Sequence, residues 1–313
     1  METRKQLRKK RKKKRKKGRF FLPVMIFLII GVFAYAGTQY WLGTQISKDA
    51  EALNYNFENE FQGVKNQDGK INVLLIGVDS RGEEQSRSDT MMIAQWDGKD
   101  DEINIVSLMR DIYVDIPEYS GYKLNTAFYL GGPELLRQTI KENFDVDVEH
   151  YMIMDFVAFE SMIDALAPGG IQIDVEKAMS ENIGVTLEPG IQHLNGQELL
   201  GYARFRADSE GDFGRVRRQQ QAIEALKAHV ISFNGVLKAP KLLGIAQPYI
   251  ETNMTSLRQI EIMSRILLSG GGELQRLTVP LEGTYSDARY EGVGAVLELD
   301  WQKNNAALKE FLE

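Results

Sequence analysis

The chain has 313 residues, 43% of them hydrophobic, enough to bury a substantial core. It contains no cysteine, which excludes disulfides, thiolate zinc sites and cysteine nucleophiles. The net charge of −6 hides a division: residues 1–19 carry thirteen Lys or Arg and one acid, while the other 294 residues carry 25 basic and 43 acidic groups, a net of −18. A basic head and an acidic body point to different surroundings for each.

Phe20 to Gly37 is an 18-residue stretch without a charge, roughly 27 Å long as a helix and close to the hydrocarbon thickness of a bilayer. Thr38 to Leu42 extend it, with Tyr40 and Trp41 suited to the interface. The basic run Arg8 to Lys17 lies directly before it, so the positive-inside rule places the N-terminus in the cytoplasm and the bulk of the chain outside the cell membrane. Ala34-Tyr35-Ala36 resembles a signal-peptidase site, but the apolar stretch is long for a signal peptide and favours a retained anchor. The basic run suits anionic lipid at the inner leaflet better than nucleic acid. The predicted organisation is a cytoplasmic segment over 1–19, a single-pass transmembrane anchor over 20–42, a polar stalk over 43–70 and one extracellular domain over 71–313.

Within that domain Ile71 to Asp79 begins as a near-continuous apolar run, the pattern of a buried central strand. Met91 to Trp96 and Ile103 to Leu108 are further strand candidates. Pro133 opens a helix over Glu134 to Asn143, since proline suits a first turn. Strand Tyr151 to Met154, helix Val157 to Leu166 and strand Ile171 to Val175 follow, the last after the Pro168-Gly169-Gly170 turn. Helices are predicted over Asn195 to Tyr202, Gly214 to Ile231 and Ser256 to Leu268, and a late strand over Leu277 to Leu281. This alternation predicts an α/β fold, a helix–sheet–helix sandwich with a central mixed sheet, preceded by one transmembrane helix.

Only three histidines occur, His150, His193 and His229, and none is spaced for metal ligation with another. His193 falls between Gly190 and Gly196 and reads as part of a turn. No Walker loop, GxGxxG, HExxH or GxSxG is present. The informative residues are carboxylates and arginines at segment ends. Asp79 ends the first strand, and ligands of open α/β sheets sit beyond the carboxyl ends of strands. Asp89 precedes the second strand, so the two can meet at one sheet edge. Two carboxylates with positions left for water and phosphate oxygens suit Mg²⁺ or Mn²⁺; as ordinary turn or cap residues they would hold nothing. Arg110 follows the third strand, Arg204 and Arg206 flank Phe205, and Arg215 begins the helix to Ile231. At 100° per residue Arg215 and Gln219 share the stripe of Ile223, Leu226 and Val230, whereas Arg217 points away. A charge on a buried stripe needs a partner, either an internal acid or an anion at the helix start. With Arg87, these arginines offer the planar fork that matches phosphate.

Taken in order, Leu74-Leu-Ile-Gly-Val-Asp79, Arg87-Ser-Asp-Thr-Met91, Ser107-Leu-Met-Arg-Asp111, Lys123-Leu-Asn125, Leu194-Asn-Gly-Gln197, Tyr202-Ala-Arg-Phe-Arg206, Asp212-Phe-Gly-Arg215 and Arg218-Gln-Gln220 resemble the LytR–CpsA–Psr family over about residues 71–232. Met109 stands where that family usually has proline and Thr126 where it often has histidine. The resemblance implies a membrane-bound transferase that attaches an anionic glycopolymer, such as wall teichoic acid, from a polyprenyl-pyrophosphate-linked donor to peptidoglycan, releasing polyprenyl phosphate. It implies that Asp79 and Asp89 hold Mg²⁺ or Mn²⁺, and that Arg87, Arg110, Lys123, Arg204, Arg206, Arg215 and Gln219 grip the pyrophosphate. Asp111 or a metal-bound carboxylate would serve as base. A polyprenyl-pyrophosphate hydrolase and a non-catalytic wall regulator that binds lipid-linked polymer are the alternatives; no nucleic-acid partner is implied.

Overall fold

The computed structural model describes residues 30–32, 34–49, 55, 57, 59–79, 88–99, 102–232 and 239–313. Residues 34–46 form a helix, α1. The domain then runs β1 (Ile71–Val78), β2 (Ser88–Trp96), β3 (Ile103–Leu108), β4 (Tyr113–Asp115), β5 (Gly121–Lys123), α2 (Leu124–Phe144), β6 (His150–Asp155), α3 (Phe156–Leu166), β7 (Ile171–Val175) and β8 (Gly190–Leu194). It continues with α4 (Gly196–Arg204), α5 (Gly211–Ser232), α6 (Ala239–Ala246), β9 (Glu251–Thr252), α7 (Ser256–Leu268), β10 (Leu274–Val279), β11 (Tyr285–Tyr290), β12 (Gly294–Leu299) and α8 (Trp301–Leu312). A six-stranded sheet, ordered β10-β3-β2-β1-β6-β9, forms the centre. It is mixed: β1 pairs antiparallel with β2 but parallel with β6, and β3 pairs parallel with β10.

The long apolar run of β1 follows from its place in the middle of this sheet, covered on both faces. Leu74, Ile76 and Val78 face one side and join Met91, Ile93, Val106 and Ile153 in a core closed by Leu136 and Ile140 of α2 and Leu308 of α8. The opposite face meets α5. There Gln219 Nε2 donates to Thr90 Oγ1 at 2.9 Å, and Gln220 Nε2 donates to Ser107 Oγ at 2.9 Å and Thr278 Oγ1 at 3.2 Å. Ser107 and Thr278 are register partners on β3 and β10, so two adjacent glutamines pin one helix across three strands. Helices thus flank both faces, as the alternation of elements predicts.

Several boundaries differ from the sequence expectation. Proline opens a helix at Pro133 as predicted, but a preceding helical half starts at Leu124, and the two meet at Gly131 and Gly132, the latter at φ 64°. Leu124, Ala127 and Phe128 are buried at helical spacing in that first half. Strand β7 has its predicted bounds but leaves the central sheet to pair with β8. His193 is accordingly in a strand opposite Gln172, not in a turn; the glycines around it begin β8 and α4. Asn195 caps α4 through a capping box with Glu198.

Parts of the segment read as a stalk lie on the domain. Tyr55, Phe57 and Phe61 pack against the sheet core, Phe57 edge-on to Phe128 at 5.9 Å and Phe61 against Tyr151 at 4.9 Å. The Gln62 N–H donates to the Glu134 carboxylate at 2.8 Å. Helix α1 crosses α6 at close range: a Cβ on Gly43 would come within 2.2 Å of the Lys241 carbonyl, and one on Gly244 within 2.4 Å of the Tyr40 carbonyl. Most of the apolar stretch Phe20 to Gly37 lies outside the described residues, and among those described no helix is long and apolar enough to cross a membrane.

Candidate active site

The site forms where β1 and β3 end and β2 begins. Val78 is the register partner of Ser88, with a bulge beside it, so Asp79 and Asp89 emerge next to each other at one sheet edge. Arg110 arrives two residues beyond β3, whose last residue pairs with Met91. Helix α4 delivers Arg204 at its last turn, the chain turns outward through Phe205 and Arg206, and α5 returns with Asp212 and Arg215 in its first turns. Asp89, Arg110, Arg204, Arg206, Arg215 and Gln219 line one cavity of about 420 Å³, with Phe156, Leu200 and Ala203 as its apolar wall and Glu181 and Asn182 at its rim.

Arginines and carboxylates interleave at the site. Arg110 Nη1 donates to Asp89 at 2.5 Å, and its Nε lies 3.3 Å from Asp111 and 3.6 Å from Asp212. Asp212 also meets Arg215 at 3.2 Å and Arg206 at 3.7 Å, so one carboxylate serves three guanidiniums. Arg204 Nη2 sits 3.7 Å from Asp79 and its guanidinium stacks 4.4 Å over the Phe156 ring. Burial opposes the charge on Arg110, but Asp212, Asp89 and Asp111 outweigh it and raise its pKa. Arg215 goes the other way. Burial, then the neighbouring charge of Arg110, lower its pKa despite Asp212, and its buried Nε has no hydrogen-bond acceptor among the described residues. An anion in the cavity would supply what Arg215 lacks.

The profile of the LytR_cpsA_psr family matches residues 39–309, most of the chain. The chain belongs to this family. Its relatives include Regulatory protein MsrR of Staphylococcus aureus, 45% identical over 82% of this chain and 78% of that protein. Polyisoprenyl-teichoic acid–peptidoglycan teichoic acid transferase TagU of Oceanobacillus iheyensis is 30% identical over 80% of each chain. Among solved structures, that of B. subtilis TagV superposes with a TM-score of 0.66 at 27% identity, covering 78% of this chain and 97% of TagV.

Set against this LytR_cpsA_psr fold, the residues singled out in sequence separate into groups. Asp89, Arg110, Arg204, Arg206, Arg215 and Gln219 share the cavity, and Asp79 borders it through Arg204. Lys123 and Asp111 stand outside the lining: Lys123 Nζ is 2.6 Å from Asp111, whose other oxygen faces Arg110. Arg87 lies outside the described residues. Of the two alternatives for Arg215, the structure shows the internal acid, Asp212, on one side of its fork, while Nε has no partner among the described residues. The supposed stripe of Ile223, Leu226 and Val230 is only half-buried; the buried positions of α5 are Gly214, Arg215, Val216, Arg218, Gln220 and Ala222, because the helix presses its N-terminal half into the domain.

Two residues of the quoted motifs have roles that the sequence reading did not assign. Asp212 is the hub of the arginines; its spacing of three from Arg215 within a first helical turn was the available signal. Arg218 is fully buried: Nε and Nη2 donate to the Phe205 carbonyl at 3.3 and 3.2 Å, Nη2 to Asp208 at 2.9 Å and Nη1 to Glu176 at 2.9 Å. It clamps the turn that carries Arg204 and Arg206. Arg217 faces away from the cavity as predicted, yet it is not idle there, pairing with Glu176 at 2.8 Å and Glu210 at 2.9 Å.

Proposed function

We propose that this chain is a membrane-anchored phosphotransferase, moving an anionic glycopolymer of the wall teichoic acid kind from a polyprenyl-pyrophosphate donor to peptidoglycan at the outer face of the cell membrane. The observation that carries the reading is Arg215, buried in the cavity lining beside three further arginines, its Nε without a partner among the described residues. A buried guanidinium nitrogen without a partner is costly unless an anion completes it. A pyrophosphate does so, and the transferase name of TagU, 30% identical, places a polyprenyl-linked wall polymer in the same family.

In the proposed reaction, Arg110, Arg204, Arg206 and Arg215 hold the pyrophosphate, and Gln219, fixed to Thr90, helps orient it. A wall-sugar hydroxyl attacks the phosphorus bonded to the polymer sugar. The new P–O bond forms as the bridging P–O bond breaks, polyprenyl phosphate leaves, and the hydroxyl proton passes to a base. The arginines neutralise charge that grows on the leaving phosphate. Asp79 and Asp89 fit a hard divalent cation in donor type and in their shared sheet edge. Among the described residues no group of three or more acids or histidines is arranged to hold a metal ion, so phosphate oxygens and water would complete the shell. Mg²⁺ or Mn²⁺ held there would add Lewis-acid stabilisation of the phosphate charge. Asp111, pinned between Arg110 and Lys123, is poorly placed to accept a proton.

The name of MsrR favours a second reading, a regulator that binds lipid-linked polymer without turnover. Radiolabelled lipid-pyrophosphate donor, acceptor glycan and Mg²⁺ separate the readings. Transfer places label on the glycan through a phosphodiester and releases lipid monophosphate. Label only in free polymer phosphate indicates a hydrolase, and tight donor binding without turnover indicates the regulator.

A further inference from the structure

Resting on the phosphotransfer reading, we infer that Glu181 is the base that takes the proton from the acceptor hydroxyl. A general base needs a lone pair free to accept a proton, beside the reacting atoms. The carboxylates around the site are otherwise committed to cations: Asp79 to Arg204, Asp89 to Arg110, Asp111 to Arg110 and Lys123, and Asp212 to three arginines. Glu181 lines the same cavity, and among the described residues its carboxylate has neither an ion pair nor a hydrogen bond. It is exposed at the rim, the side from which a polymeric acceptor must approach and from which a proton can leave to water.

Its position is held by the fold. Glu181 lies in the connection from β7 to β8, where Met179 and Leu187 exchange backbone hydrogen bonds at 2.9 and 2.8 Å. Met179, Ile183 and Leu187 are buried in the second hydrophobic core, so the turn between them is anchored on both sides. Asn182, next to Glu181, adopts φ 60°, which asparagine tolerates better than most residues. The base of the connection is tied to α5 and its preceding loop by Glu176 with Arg218 and by Lys177 with Asp208 at 3.0 Å. A carboxylate on an anchored turn, lining the same cavity as four arginines, is set to meet a hydroxyl as that oxygen nears the phosphate. The proton goes to Glu181, the oxygen to phosphorus, and the electron pair of the broken P–O bond to the departing lipid phosphate.

The test uses the full-length protein in detergent with a synthetic polyprenyl-pyrophosphate disaccharide as donor and uncrosslinked peptidoglycan glycan as acceptor. Glu181→Gln is expected to lower kcat for transfer about 100-fold, with donor Kd and thermal melting unchanged, and Glu181→Asp to restore part of the rate. Wild-type rates in Glu181→Gln would overturn the assignment, and so would an effect confined to acceptor KM or donor Kd. A wild-type protein that binds donor without transferring it would bring down the phosphotransfer reading, and this assignment with it.

Discussion

Arg215 is the residue on which the site turns. Its guanidinium reaches Asp212 on one side, and on the other its Nε has no partner among the described residues, with burial and Arg110 both disfavouring its charge. Lysine would keep the charge but lose the planar fork. Arg215→Lys is therefore expected to reduce transfer about 100-fold, on the scale of a lost preorganised donor, while the circular dichroism melt stays close to wild type. Glycan-linked label per unit time measures the first and the melt the second. Glu176 makes a prediction of a different kind. Burial raises its pKa, but hydrogen bonds from Arg217, Arg218 and Tyr202 overcome this and hold the carboxyl at about 2, against an ordinary 4.5. The folded state resists a proton that the unfolded state takes up, so the stability from Glu176 is full above pH 4.5 and is lost as pH falls to about 2. Glu176→Gln should flatten the acid decline of stability in that window, read by denaturant titration at stepped pH.

At the scale of elements, α5 carries two unlike arginines one residue apart. Arg218 is wholly buried and ties α5 to the Phe205 turn, Asp208 and Glu176, whereas Arg217 sits at the surface with Glu176 and Glu210. Removing one partner of a buried ion pair strands the other. Arg218→Met should cost about 3 kcal/mol or more, and Arg217→Ala about 1 kcal/mol or less, with transfer retained by the latter at temperatures where it is folded. Urea midpoints decide this, and equal losses would refute the distinction. Helix α2 offers a test of the core. Leu136 is fully buried against the sheet, so Leu136→Ala should destabilise the domain by about 2–5 kcal/mol without a change in donor affinity once folded. The same elements show what local pattern conveys. Strands β1 and β3 were legible because a covered sheet demands apolar runs, and Pro133 marked its helix start. The first half of α2 was not, since Leu124 to Leu130 is too short to establish a period before Gly131 breaks it.

For the molecule as a whole, the sheet is a platform and the two helix layers divide the labour. One face, with α2 and α8, closes the larger core; the other receives α5, pinned by Gln219 and Gln220, and so brings Arg215 over the strand ends. The aromatic side chains of Tyr55, Phe57 and Phe61 and the glycine crossing of α1 on α6 join the chain upstream of β1 to the domain. If the upstream apolar stretch is the proposed anchor, the cavity is carried at a set distance from its membrane-borne donor. Protease added to intact protoplasts should then cut the domain while residues 1–19 stay protected; a protected domain would refute the external placement.

The charge division between head and body and the residue types of the site are legible in the chain alone. These are properties of runs, termini and short motifs: Asp79 and Asp89 at strand boundaries, Arg204 and Arg206 around Phe205, and Arg215 at a helix start were all visible as local positions. Tertiary structure decided which of them converge. Asp212 became a hub and Lys123 was drawn away to Asp111 because each position depends on strand register and helix crossing between residues far apart in the chain. Side-chain partnership was equally beyond the linear pattern. Helical periodicity could set Arg217 and Arg218 on different faces, but only the packed β7–β8 connection supplied Glu176 to both and left Glu181 at the cavity without a partner among the described residues.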